Sequence, residues 1–337
     1  MMHVMIRDGL VDDDYVSRHA SGYDALAERV QQYSPAQVSH TVGLPVEDIE
    51  RFAREYATTH PSLLRPLIGI EHHRNGAMQF RTLACLAVLS GSWRHRGGGL
   101  ARSTHALHFA ALDMDRVLMP EVYKPGARVL NMRDLGDDLC GRELHPPVRS
   151  LIVYGSNPMV SMPNRGRIRE GLLREDLFTV VHDLFVTDTA LYADYVLPAT
   201  SQIEHLDLSP AWGHLYLALN RPAIAPRGEA VANTELFRRL ARALGRTEAW
   251  LFESDESMLR GALASGHPWL EGITFERLWD EGSVRLSCPE DWRPFANGGF
   301  ATRSGKAELY SEPLHELGHD PLPWPGEIRS GAGLQLI

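Results

Sequence analysis

Three short stretches put hydrogen-bonding residues directly behind apolar runs: HHRNG at 72–76, GSNP at 155–158 and HDLFVTDT at 182–189. At the carboxyl ends of parallel strands, such loops expose helix N-termini and free backbone N–H groups to polar or anionic ligands. Gly155 lets a ligand approach the backbone, and Ser156 and Asn157 offer donors and acceptors. Asp183 stands one residue past an apolar run, where an acid suits a ribose hydroxyl or the N–H edge of guanine. The same residues also suit plain structure: Gly-Ser-Asn-Pro is a turn sequence, and Asp183 and Thr187 are natural caps for a following helix.

Other chemistry-bearing residues are sparser. The 16 histidines are scattered; His72 and His73 are adjacent, which in an extended segment points them apart, and His105-x-x-His108 has no third ligand at a zinc spacing. Glu204 and His205 follow DYVLPATS and suit either an acid–base pair or an ordinary salt-bridged or solvated one. Cys85, Cys140 and Cys288 lie too far apart for a Cys-x-x-Cys or zinc-ribbon pattern, so no iron–sulfur cluster is expected within this chain alone. The sequence has neither G-x-G-x-x-G nor a Walker phosphate loop, which argues against ordinary NAD or ATP binding.

Periodicity gives the elements that would position these loops. The first sixty residues read as helices: DDDYV, YDALAERVQQY, SPAQVSHTVG with Ser34 and Pro35 as cap and first turn and Gly43 as stop, then LPVEDIERFAREYA. RPLIGIE at 65–71 reads as a strand, 76–90 as a buried helix, and 92–147, with GGG at 97–99, as a long irregular segment. Regular alternation then returns: strand 150–154, helix 164–174 capped by Asn164, strand 178–182, a short helix after Thr187 and strand 194–198. That spacing requires parallel pairing with right-handed crossovers. A helix follows Asn233, and beyond 250 come short strand candidates in VRLSC and GKAELYS. The expected fold class is α/β: two partial Rossmann-like three-layer units with mostly parallel sheets, 1–147 and 148–250, and a peripheral α+β segment, 251–337.

Composition narrows the partners. With 34 Lys and Arg against 43 Asp and Glu, a net charge of −9 and no long basic block, duplex DNA is disfavoured as a partner. SPAQVSHTVGLPVEDIERFARE has the plan of a helix-turn-helix, with Val38 and Ile49 as packing positions, but its second helix opens with Glu47, Asp48 and Glu50, which would meet phosphates with negative charge. A structural helical corner explains the same residues. The longest apolar stretch, around Leu83 to Leu89, is far short of a membrane span, and MMHVMIRDGL has no signal-peptide pattern; a cytoplasmic location is expected, with any export signal lying upstream of Met1. Residues 1–6 resemble the last turns of a helix and GLQLI at 333–337 an apolar strand-like stub, so both ends look like cut points in a longer chain.

In order along the chain, IRDGLVDDDYV, SPAQVSHTVGLPVEDIERFAREYA, GIEHHRNGAMQFRTLACLAVLSGSWRHRGGG, IVYGSNPMVSMPN, LFTVVHDLFVTDTALYADYVLPATSQIEH, RPAIAPRGEA and TRSGKAELYSE with DPLPWP resemble the molybdopterin oxidoreductases of the dimethyl sulfoxide reductase type. The resemblance covers nearly the whole chain. It implies a large redox enzyme holding molybdenum or tungsten on bis-molybdopterin guanine dinucleotide, with two related α/β domains that each grip one guanosine end. By matching position, His72, Asn157, His182, Asp183, His205 and Asn233 fall where the family touches cofactor, within the loops that also carry Gly155, Ser156 and Thr187. Asn233 stands where aspartate is more usual, and His205 where a lysine can occur. The resemblance further implies a 4Fe-4S cluster and the metal's own ligand residue upstream of the matched region, and a pterin-binding β-barrel downstream, of which GLQLI would be the first strand. The chain would then be an interior fragment, inactive alone. Implied partners are a small-molecule redox substrate and an electron-transfer subunit, with no nucleic acid and no membrane span. A rival is a non-catalytic relative, such as the large peripheral subunit of respiratory complex I, which keeps the strands but not the polar guanosine contacts.

Overall fold

A computed structural model describes residues 1–73, 75–122, 126–141 and 143–325. In chain order its helices are α1 (Met2–Arg7), α2 (Asp13–His19), α3 (Tyr23–Arg29), α4 (Pro35–Val42), α5 (Val46–Thr58), α6 (Gly76–Leu89), α7 (His105–Ala111), α8 (Met114–Leu118), α9 (Leu135–Cys140), α10 (Pro158–Ser161), α11 (Arg165–Leu172), α12 (Asn233–Ala243), α13 (Asp255–Leu263), α14 (Phe275–Glu281) and α15 (Glu312–Glu316). The strands are β1 (Ala20–Ser21), β2 (Leu63–Leu64), β3 (Gly99–Leu100), β4 (Ser150–Tyr154), β5 (Phe178–Asp183), β6 (Tyr195–Pro198), β7 (Asp207–Pro210), β8 (Tyr216–Asn220), β9 (Ser283–Arg285) and β10 (Ala307–Glu308). Among the described residues, no helix is long and apolar enough to cross a membrane.

Two compact units emerge: Met1–Ser103 with the chain from Cys288 onward, and Thr104–Ser287. These boundaries differ from those expected at 147/148 and 250/251, for two reasons of packing. Ala111 and Leu112 share one apolar cluster with Ala262, Leu263 and Leu278, so the chain just after Ser103 belongs with the later helices. Beyond Cys288 the chain returns to the first helices, placing Leu309 and Leu322 in one core with Met5 and Leu26. Residues 251–337 are therefore divided between the units rather than forming one peripheral segment.

In the first unit, α6 is apolar around nearly its whole circumference, and Leu86 to Leu89 are buried accordingly. Each such leucine contributes roughly 1.5–3 kcal/mol by leaving water. α5 is amphipathic, turning Ile49, Ala53, Tyr56 and Ala57 inward. Gly43, at φ +68, ends α4 and lets α5 follow as a tight corner. Two of the three acids that open the supposed recognition helix are paired within the unit: Glu50 with Arg7 at 2.8 Å and with Arg54 at 3.1 Å, Asp48 with Arg51 at 2.7 Å. RPLIGIE is not a strand. Strand pairing stops at Leu64, because Pro66 has no N–H for a ladder, and Ile68–His72 form a 3₁₀ turn instead. Arg74 of the HHRNG loop and the GLQLI stub lie outside the described residues.

In the second unit, β4, β5 and β6 pair in parallel in that order, with Val153 opposite Val181 and Tyr154 opposite His182. This is the α/β alternation expected from the spacing. Val153 and Val181 cluster with Ala190, while Leu139, Met159, Ile168, Leu172 and Leu177 pack α9, α10 and α11 together. Asn164 precedes α11 in the left-handed region at φ +59 without a side-chain cap. A separate antiparallel sheet, β7–β8–β9, packs Leu217, Leu219 and Val284 against Leu270, Phe275 and Leu278. The supposedly irregular 92–147 stretch contains α7, α8 and α9. They are five to seven residues long, too short to show a period.

Candidate functional site

The carboxyl ends of β4, β5 and β6 gather most of the candidate residues in the second unit. Gly155 takes φ +58, a left-handed conformation that glycine enters without a Cβ penalty, and the space a Cβ would fill is open to 4 Å. Its N–H donates to the His182 carbonyl at 3.3 Å, which ties the turn to β5. Half-buried Ser156 follows. Asn157 is the knot of the two loops. Its Oδ1 accepts from the Thr189 N–H at 3.2 Å and from Thr189 Oγ1 at 2.7 Å, and its Nδ2 donates to Asp188 at 3.5 Å. Thr189 Oγ1 in turn accepts from the Met159 N–H at 3.1 Å.

Asp183 and Thr187 adopt the local roles their residue types allow. Asp183 Oδ1 accepts from the Phe185 N–H at 3.1 Å, and Thr187 Oγ1 accepts from the Ala190 N–H at 3.2 Å, at the start of a short 3₁₀ turn. His182 is fully buried. Its Nε2 faces the Pro198 carbonyl at 3.2 Å. Nδ1 is 3.0 Å from Asn233 Oδ1. One imidazole thus joins β5 to the end of β6 and the start of α12.

After β6, Thr200 Oγ1 and His205 Nδ1 are 2.9 Å apart. Glu204 and His205 form no pair. Glu204 Oε2 instead accepts from the Ser201 N–H and hydroxyl, both at 2.8 Å, and Oε1 from the Arg227 N–H at 2.9 Å. These bonds, the Ser201 backbone N–H first, hold its carboxyl below the usual range. Beside this loop a cavity of about 270 Å³ is lined by Thr200, His205, Asp207, Asn233 and Asp255, with Met258 and Leu259 among its apolar walls. It unites His205 and Asn233, which lie apart in sequence. Asp207 and Asp255 were not foreseen: one begins an antiparallel strand and the other a helix, positions where an acid carries no signal of its own. Thr189 was equally missed, although it closes the quoted loop.

His72 belongs to the first unit, exposed at the end of its 3₁₀ turn, beside a Glu71–Arg102 ion pair of 2.5 Å. His108 is fully buried, its ring nitrogens 3.0 Å from the Thr104 carbonyl and 3.3 Å from that of Tyr216. Among the described residues, no three side chains cluster as metal ligands.

The sequence profile of the family described as Molybdopterin oxidoreductase matches residues 1–243. The chain belongs to the molybdopterin oxidoreductase family. The family is one of redox-enzyme-type proteins with a molybdopterin-type cofactor carrying molybdenum or tungsten. The chain is 42% identical over 325 residues to the probable oxidoreductase YoaE of Bacillus subtilis (strain 168), covering 96% of this chain and 47% of that protein. It is 25% identical over 366 residues to the dimethyl sulfoxide reductase DmsA of Escherichia coli (strain K12), covering 94% and 44%. The solved acetylene hydratase from Pelobacter acetylenicus shares the fold, with a TM-score of 0.76 at 24% identity over 97% of this chain and 49% of that one. The chain thus spans about half the length of the relatives it matches.

Proposed function

We propose that the loops closing β4, β5 and β6, with the start of α12, seat a guanosine end of a bis-molybdopterin guanine dinucleotide in a molybdenum or tungsten oxidoreductase, and that the His72 loop of the first unit serves the other end. The observation carrying this reading is the cavity of about 270 Å³ in which His205, Thr200 and Asn233 converge with two carboxylates, a donor-and-acceptor set suited to a purine ribonucleoside. Open space at Gly155 suits close approach of a phosphate or ribose. When bound, the cofactor supplies two-electron redox chemistry, often with oxygen-atom transfer. The chain's own residues bind and orient it: Ser156 and His205 as direct contacts, Asn157 and His182 as the groups that hold the contact loops.

A non-catalytic relative is the rival, favoured by one observation: Asp183 and Thr187 bond within their own loop, and Asn157 bonds across to Thr189 of that loop, so all three have protein partners. The test is metal analysis, pterin fluorescence and guanine nucleotide release on protein expressed with its genomic flanks in a host that makes the cofactor. Molybdenum or tungsten with two guanine nucleotides per chain is expected, falling in His205→Ala. Folded protein devoid of all three would install the rival.

A further inference from the structure

His182 and Asn233 meet through their side chains, and the bond between them decides which end of the Asn233 amide is left for a ligand. The His182 ring lies without solvent exposure between two neutral groups, the Pro198 carbonyl at 3.2 Å from Nε2 and the Asn233 amide at 3.0 Å from Nδ1. A carbonyl oxygen can only accept, so the first contact bonds only where Nε2 bears hydrogen. A buried imidazolium would need an anion beside it, and neither bonding partner is one. The neutral ring that remains has a lone pair on Nδ1, which calls for a donor. Asn233 supplies one by a half-turn of its amide, which exchanges oxygen and nitrogen within the same outline. Nδ2 then faces the ring and Oδ1 turns away. Asn233 also lines the cavity shared with Thr200, His205, Asp207 and Asp255. Those four neighbours are already engaged: Thr200 with His205 at 2.9 Å, Asp207 Oδ1 with the Leu208 N–H at 2.8 Å, and Asp255 with Arg238. Among the described residues, the Asn233 side chain has no hydrogen bond besides the one to His182, so its outward end is free for a ligand.

We propose that His182 is a positioning residue that fixes Asn233 with Oδ1 toward this cavity, so that the amide accepts an N–H from the Watson–Crick edge of guanine at a position where aspartate is more usual. Held the opposite way, Nδ2 would meet the N–H groups of guanine donor against donor. His182 thereby does more than tie β5 to α12: it gives a two-faced amide the single polarity that a carboxylate has by itself. The inference rests on the guanosine reading for its ligand, while the orientation of the amide is a property of the chain alone.

Nitrogen-15 spectra of the 337-residue chain labelled in histidine, with the His182 signals assigned by their loss in His182→Gln, read the ring directly. Hydrogen on Nε2 and a bare, accepting Nδ1 are expected at neutral pH; hydrogen on Nδ1 overturns the proposal. A second arm uses protein expressed with its genomic flanks in a host that makes the cofactor. Guanine nucleotide per chain should fall by at least about threefold in folded His182→Phe. Asn233→Asp added to that variant should restore it, because a carboxylate accepts at both oxygens and needs no neighbour to orient it. Asn233→Leu in its place should not. Undiminished nucleotide in His182→Phe overturns the proposal, and so does a loss that Asn233→Asp leaves unrepaired, which would make His182 a packing residue only. A parent protein without guanine nucleotide refutes the guanosine reading instead, and the ring spectrum then decides the orientation of the amide by itself.

Discussion

Replacing Asn157 by alanine strands two donors of Thr189, a residue without solvent exposure. Buried donors left without an acceptor cost about 1–3 kcal/mol, so Asn157→Ala should lower unfolding stability in urea by that amount, and cofactor content should fall with it. Titration gives a second outcome at this scale. Hydrogen bonding to Arg7 first, then Arg54, draws the Asp8 carboxyl down to about 2 from its ordinary 3.8. A carboxyl held low when folded stabilises fully above its unfolded value and loses that contribution as pH falls through the folded one. Stability should therefore decline between about pH 4 and 2, and Asp8→Asn should flatten the decline in acid unfolding followed by circular dichroism. The sequence exposed which residues stand at the strand ends, since turn chemistry is local. It could not show that Asn157 and His182 bond to protein, because their partners, Thr189 and Asn233, are 32 and 51 residues away.

Elements were legible where their length exceeded the noise of their pattern. α5, α6 and α12 each carry eleven residues or more, and β4 to β6 alternate with crossovers of a spacing that only parallel pairing satisfies. Of the two-residue strands, β10 falls inside GKAELYS, a segment read as a strand candidate, whereas β1, β2 and β3 were not legible. β1 and β10 pair across nearly the whole chain, a contact no periodicity records. That pairing depends on Gly22, which turns at φ +77 with Tyr310 so close that an added Cβ would lie 2.5 Å from the tyrosine Cβ. Gly22→Ala combines left-handed strain with overpacking, and a loss of roughly 2–4 kcal/mol is expected from the two together. A thermal melt checks this, with Gly318→Ala, also left-handed but in open space, as the milder control.

At the scale of the molecule, the two units differ in how their chains are drawn. Thr104–Ser287 is continuous and holds complete cores of its own, from Leu217 and Leu278 beneath the antiparallel sheet to Val181 and Ile168 around the parallel one. The first unit is made of two distant stretches, and its core needs Ala307, Leu309 and Leu322 beside Met5, Tyr15 and Leu26. A core assembled from distant segments cannot close until both are present, while a continuous one can fold alone. Residues 104–287 expressed alone should thus unfold cooperatively by calorimetry, with mixed helix and strand by circular dichroism. Residues 1–103 alone should show no cooperative transition until the 288–325 segment is supplied, in cis or as a separate peptide. A cooperative melt from 1–103 alone would place the stability of this unit in α6 and its neighbours, and would make the β1–β10 closure an accessory to a core already formed.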